Sequence, residues 1–125
     1  MAGTDTGYRY DVLSVGINAG ASLNRYRFVK KNADSYAVTA GAGESAIGAV
    51  YNSPASGETA DVQLVGIALV EAGTGGLSAN DEVASDADGK AVTAGTSDKV
   101  VGTAFEDVNA GAVGPVLLKS IGNAP

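Results

Sequence analysis

Ala37-Val38-Thr39-Ala40-Gly41 (AVTAG) recurs unchanged as Ala91-Val92-Thr93-Ala94-Gly95, and the segments around the two occurrences, 23–64 and 77–118, superimpose without a gap at an offset of 54. Leu23 matches Leu77, Val29 matches Val83, Ala33-Asp34 match Ala87-Asp88, Gly48 matches Gly102 and Gly57 matches Gly111. Val62 and Leu64 match Val116 and Leu118, giving 13 identities in 42 positions, where this Ala/Gly/Val-rich composition gives about four by chance. The chain is one unit used twice, and the fold question becomes a question about that unit.

Each repeat reads as short strands separated by turns. No window of eleven or more residues carries apolar positions at i, i+3, i+4 and i+7 without Gly or β-branched interruption, which argues against a long helix. Runs rich in Val, Ile and Tyr, bounded by Gly, Asn, Asp or Ser, are strand signals. The expected strands are Asp11 to Ile17 ahead of the repeats, then Arg25 to Lys31 and Asp81 to Ser85, followed by the two AVTAG segments. Ala46 to Tyr51 and Val100 to Glu106 come next, and Val62 to Leu69 and Val116 to Lys119 close the repeats. In the longer pair, Ile47, Ala49 and Tyr51 on one side, and Val101, Thr103 and Phe105 on the other, are expected to share a face. Gly48 and Gly102 then sit mid-strand, where glycine marks a bulge or a close backbone approach.

The expected fold class is all-β, a small antiparallel barrel or sandwich with an internal pseudo-twofold repeat. Two units are too few for a solenoid, which needs about three to bury a continuous core. Residues 1–22 are expected to form an extended N-terminal arm and a first strand, and 23–125 a single β domain made of the two repeats. The core is built of small pieces: Ile, Leu, Val and Phe number 28 of 125 residues, close to the level of about 20 % below which disorder is the better expectation. Alanine removes little area from water, so the isolated chain is expected to be marginal and to gain stability by binding.

Composition excludes several function classes. Without His or Cys, the chain has no histidine base, thiolate nucleophile, disulfide framework or His/Cys zinc site. Net charge of −6 opposes general nucleic-acid binding, which needs a basic surface. The start of the chain lacks the basic and apolar regions of a signal peptide, and no run approaches a membrane span; the expectation is a soluble protein made in the cytoplasm. Charge is uneven: residues 1–31 hold five basic and two acidic groups, the rest three basic and twelve acidic. Such separation suits head-to-tail or partner contacts.

The remaining candidate motifs read as structure. Asp86-Ala87-Asp88-Gly89 opens like a calcium loop but lacks a third ligand before the glycine and the closing bidentate Glu, which favours a β-turn. Gly73-Thr74-Gly75-Gly76 is not followed by the Lys-Ser/Thr of a phosphate loop and reads as the connection between repeats. Carboxylates cluster as Asp81-Glu82 and Glu106-Asp107, but acid–base work needs a cleft that separates their pKa values. No catalytic, cofactor-binding or metal-ligating residue is assigned, and the chain is not read as an enzyme.

The second repeat, from Ala72 to Leu118, resembles the small decoration, or cement, proteins of tailed-bacteriophage capsids. Gly76-Leu77, Asp81, Val83, Asp86 and Gly89-Lys90-Ala91 carry the first part of that pattern. Val100 to Ala104, Ala110-Gly111 and Val116-Leu117-Leu118 carry the second, and Ile47-Gly48, Ser56-Gly57 and Val62 to Leu64 follow it more loosely in the first repeat. The resemblance implies a β-rich virion protein, usually a homotrimer, that binds the outside of the assembled head. Its implied partner is the major capsid protein, whose subunit contacts it reinforces, with no cofactor, nucleic acid or membrane involved.

Contacts are expected in the basic, aromatic N-terminal region, because Arg and aromatic side chains dominate interface energetics. Tyr8, Arg9 and Tyr10 are candidate arm anchors; Arg25, Arg27 and Phe28, in the RYRFVKK stretch where the repeats differ most, are a candidate subunit or capsid face. In a strand, the two arginines would share one side and the two rings the other. The alternative reading is a carbohydrate-binding or adhesion β domain displayed on a particle.

Overall fold

The structure, a computed structural model, describes residues 9–119, and every regular element in it is a β-strand. Nine strands run in chain order: β1 Tyr10–Asn18, β2 Arg27–Lys31, β3 Ala37–Thr39, β4 Gly48–Val50, β5 Thr59–Glu71, β6 Glu82–Ser85, β7 Ala91–Thr93, β8 Gly102–Ala104 and β9 Val113–Leu118. All ladders are antiparallel, in the order β3-β2-β4-β5-β9-β8-β6-β7 with β1 added on β5. The expected barrel or sandwich is realised as one curled half-barrel sheet.

The sequence repeat is also a repeat of structure. β3 and β4 recur as β7 and β8 at an offset of 54. Backbone hydrogen bonds recur too: Leu23 N–H to Pro54 O matches Leu77 N–H to Val108 O, and Ile47 N–H to Val29 O matches Val101 N–H to Val83 O. Left-handed backbone at Tyr26, Ser35, Gly43 and Gly57 reappears at Asn80, Gly89, Ser97 and Gly111. Three of these eight residues are neither Gly nor Asn, and their strain is held by turn hydrogen bonds. The Asn32 carboxamide accepts from the backbone N–H of Asp34 and Tyr36, as the Asp86 carboxylate accepts from Asp88 and Lys90. Asp86 therefore caps its own turn, as read from the sequence.

Several strands differ from expectation in extent. Left-handed Tyr26 (φ 67°) stops the second strand short of Arg25. The two AVTAG-following strands shrink to three residues that begin at Gly48 and Gly102 rather than placing them mid-strand. The expected alternation also fails, because Val101 and Ala104 both enter one core. Val101 donates to Val83 O from outside the strand, so the two-residue period starts only at Gly102. Close approach at the glycines does hold: a Cβ at Gly48 would collide with the backbone carbonyl of Gln63, and one at Gly102 would lie 2.5 Å from Leu117 O.

β5 is thirteen residues long, longer than the sequence pattern indicates, and it serves both repeats. Val62 and Gln63 pair with β4, and Ile67 to Glu71 pair with β9, while β1 runs along Thr59 to Ile67. Ile67 is opposite both Tyr10 and Leu117. A strand residue has one neighbour on each edge, so β4 and β9 share one edge of β5 and β1 takes the other.

Two cores result. One gathers Ala19, Leu23, Val29, Ala37, Val50, Ala60 and Val62 from the first repeat and its lead-in. The other holds the equivalent residues of the second repeat, Val83, Ala91, Ala104 and Val116, together with Phe28, Ala40 and Ala49 from the first. One sheet face of the first repeat thus closes the core of the second.

Gly48→Ala is expected to destabilise the protein by about 2 kcal/mol or more through backbone displacement. Gly57→Ala, where a Cβ meets nothing within 4 Å, is expected to cost about 1–2 kcal/mol from its left-handed conformation alone. Urea denaturation of both variants checks the order.

Candidate interface

The residues singled out in the sequence fall into two groups. Arg9 and Tyr10 lie at the start of β1, and Tyr8 lies outside the described residues. The Arg9 guanidinium donates from Nε to Gln63 Oε1 at 2.7 Å and from Nη2 to Asp11 Oδ2 at 2.8 Å, and it stacks 3.8 Å above the Tyr51 ring. Gln63, only 1 % exposed, places its Nε2 within 3.2 Å of the carbonyls of Tyr10, Val65 and Ile67. Its two protons are shared among these three acceptors. This amide binds the irregular start of β1 to the middle of β5, where the β1 register shifts twice. Tyr10 itself is 64 % exposed.

The second group is drawn apart by the fold. Arg25 is exposed, with its guanidinium 5.0 Å from the Tyr26 ring. Arg27 is turned into the seam between the repeats. Its Nη2 is 3.2 Å from Glu71 Oε1, its Nη1 donates to Asp88 O at 3.1 Å, and Lys90 Nζ lies 3.4 Å from the other Glu71 oxygen. The Arg27 Nε is buried without a hydrogen-bond partner. Phe28 is wholly buried: its backbone N–H donates to Gly89 O at 2.7 Å and its ring enters the second repeat's core. Phe28 therefore offers no surface to a partner, correcting the expectation that it contributes a subunit or capsid face. The physical reason is that this face of β2 covers the neighbouring repeat.

Sequence reasoning passed over Tyr51, Gln63, Glu71 and Lys90, which fix β1 and the seam. It also passed over Leu13, Val65 and Leu117, which are 49 %, 43 % and 39 % exposed. One signal was available: Tyr10 to Ile17 carries apolar residues at both parities, so one side had to remain outside the core.

Electrostatics elsewhere serve turns. Glu44 accepts from Lys30 Nζ at 2.8 Å and from the Gly41 backbone N–H. The lysine hydrogen bond, then that backbone bond, hold its carboxyl below the usual value. Asp98 closes the equivalent turn on Gly95. No group of three or more acidic side chains able to hold a metal occurs among the described residues.

With this architecture in view, comparison with known proteins gives the family. The profile of phage cement proteins matches residues 9–119. The chain belongs to the phage cement protein family. It is thus an all-β structural protein of bacteriophages, associated with the capsid. Among solved structures it is similar to the N-terminal base of the head fiber protein gp8.5 of bacteriophage phi29, at 19 % identity and a TM-score of 0.71, covering 86 % of this chain and 93 % of that one. That similarity is one of fold. No curated protein matches the chain by sequence.

Phe28→Ala is expected to cost about 3–5 kcal/mol by opening the second repeat's core, whereas Arg25→Ala should stay within about 0.5 kcal/mol. Chemical denaturation separates the seam residue from the surface residue.

Proposed function

We propose that this cement protein binds the outer surface of the assembled head as a homotrimer and stabilises contacts between major capsid protein subunits, its two repeats related by a pseudo-twofold. The observation that carries the reading is the family match across all the described residues. Made in the host cytoplasm, the protein meets heads only after they assemble. A protein that binds the assembled lattice but not its separated subunits stabilises it by mass action, by about 2.7 kcal/mol per site at a hundredfold excess over Kd. Many identical sites add, and no chemistry is needed.

Arg25 is the exposed basic candidate for the capsid face, and Tyr8 with the exposed Tyr10 for an arm contact. Arg9 acts by holding β1 in place, since its hydrogen bonds and its stack on Tyr51 are all internal. Arg27 acts likewise at the seam. A rigid sheet suits such a role, because little ordering is left to oppose binding.

The purified protein should co-sediment with expanded heads of its own phage and raise the temperature at which they rupture. Arg25→Ala and removal of residues 1–8 should each weaken binding about tenfold, the size of one interface anchor. Heads that sediment without the protein, at unchanged rupture temperature, contradict the proposal.

A further inference from the structure

The fold gathers cations that the sequence keeps apart. Lys30 and Lys31 end β2, Lys99 stands in the connection between β7 and β8, and all three line one open cleft of about 590 Å³ beside the 43–47 loop. That volume is within the range of ligand-binding clefts. Backbone hydrogen bonds fix the cleft across the seam between the repeats, from Lys99 N–H to Gly43 O and from Gly43 N–H to Ser85 O. Glu44 is the one acid among the lining residues. The lining therefore carries three positive charges against one negative, in a chain whose net charge is −6.

These cations are poorly neutralised. Lys30 is paired with Glu44 at 2.8 Å, and Glu44 and Asp98, the acid beside Gly43, are held to their own turns by the N–H groups of Gly41 and Gly95. Lys31, Lys99 and Lys119 are exposed and form no salt bridge among the described residues. Lys119 lines a smaller hollow of about 70 Å³ with Ile47, Leu64, Val101 and Leu118. The two cavities share Ala46 and Ile47, so an apolar hollow adjoins the basic cleft. The fold itself does not require the lysines. Lys30 and Lys31 stand where the second repeat has buried Ala84 and Ser85, and Lys99 stands where the first has Ser45.

We propose that this cleft is a docking site for an acidic, extended segment of a partner protein. Its carboxylates are set against Lys31, Lys99 and Lys119, and one aliphatic side chain enters the hollow at Ile47 and Leu64. Complementary charge selects such a segment and orients it. A nucleic acid is disfavoured, because its many phosphates would meet the acidic remainder of the chain. A small anion is disfavoured as well, since it would use the lysines and leave the hollow empty. The inference names the chemistry of a partner segment and does not depend on the proposed head binding.

The test uses the full chain and synthetic peptides. In fluorescence anisotropy at low ionic strength, a labelled peptide with two glutamates on each side of one leucine should bind about tenfold or more tighter than its counterpart with lysines in place of the glutamates. Added salt should weaken that binding. Replacing the leucine by glycine should weaken it about threefold or more, which a purely ionic contact would not show. Lys31→Gln and Lys99→Gln should each weaken it about two- to fivefold, the range of exposed ion pairs. Asn109→Asp, an equal charge change in a turn outside the cleft, should leave it unchanged. All three positions are exposed, so the circular dichroism of each variant should match the wild type. Equal affinity for acidic and basic peptides, no binding of the acidic peptide at about 1 mM, indifference to the leucine, or equal weakening by Asn109→Asp and Lys99→Gln overturns the proposal. Single-stranded DNA that binds more tightly than the acidic peptide, and is lost in the same lysine variants, assigns the cleft to nucleic acid and also overturns it. Co-sedimentation of the wild-type protein with heads, scored separately, reports on head binding alone.

Discussion

Backbone pairing along β5 is the constraint on which the rest of the structure depends. Its first half closes the first repeat against β4, and its second half pairs with β9 to open the next. At Ile67 the two halves meet, with Tyr10 on one edge and Leu117 on the other. Two units joined by a loop could move independently; two units sharing a strand cannot shift register separately without breaking the ladder. Gly66, with φ of 112°, gives the strand its local freedom at that junction, and a Cβ there would strike the carbonyl of Tyr10. Side-chain packing reinforces the linkage, since Phe28 and the Arg27–Glu71–Lys90 charges tie the first repeat to the second.

Divergence between the repeats follows from that geometry. The stretch RYRFVKK differs most from its counterpart ANDEVAS, and part of the difference is internal. The first repeat needs a large apolar residue at Phe28 to cover its neighbour. The second carries Glu82 at the same position, on a face that remains partly in solvent. What distinguishes the repeats is thus first a matter of which one is covered, and only at Arg25 and on β1 a matter of exposed surface. The seam makes a stiff unit, and a stiff unit has little conformational freedom left to lose on binding.

Much of the fold was legible in the sequence. The AVTAG repeat placed β3 and β7, the turn residues at Asn32 and Asp86 were read correctly, and apolar runs located every strand. Strand lengths were not legible, because Tyr26 adopts a left-handed conformation that its residue type does not announce, and because β5 runs past both ends of the expected Val62 to Leu69 strand. The burial of Phe28 was hidden for a different reason. A strand has two faces, and which of them meets solvent depends on how distant elements stack. Leu117 illustrates the reverse case, an apolar residue in a closing strand that looks like core and is left on an open face.

The most direct measurement of the shared-strand account is native-state hydrogen exchange on the free protein. Amides in the β4–β5 and β8–β9 ladders should exchange with a single opening free energy, equal to that of global unfolding, because neither repeat can open while β5 stays paired. Two distinct opening energies, one for the amides of each repeat, would contradict it and show that the halves unfold on their own.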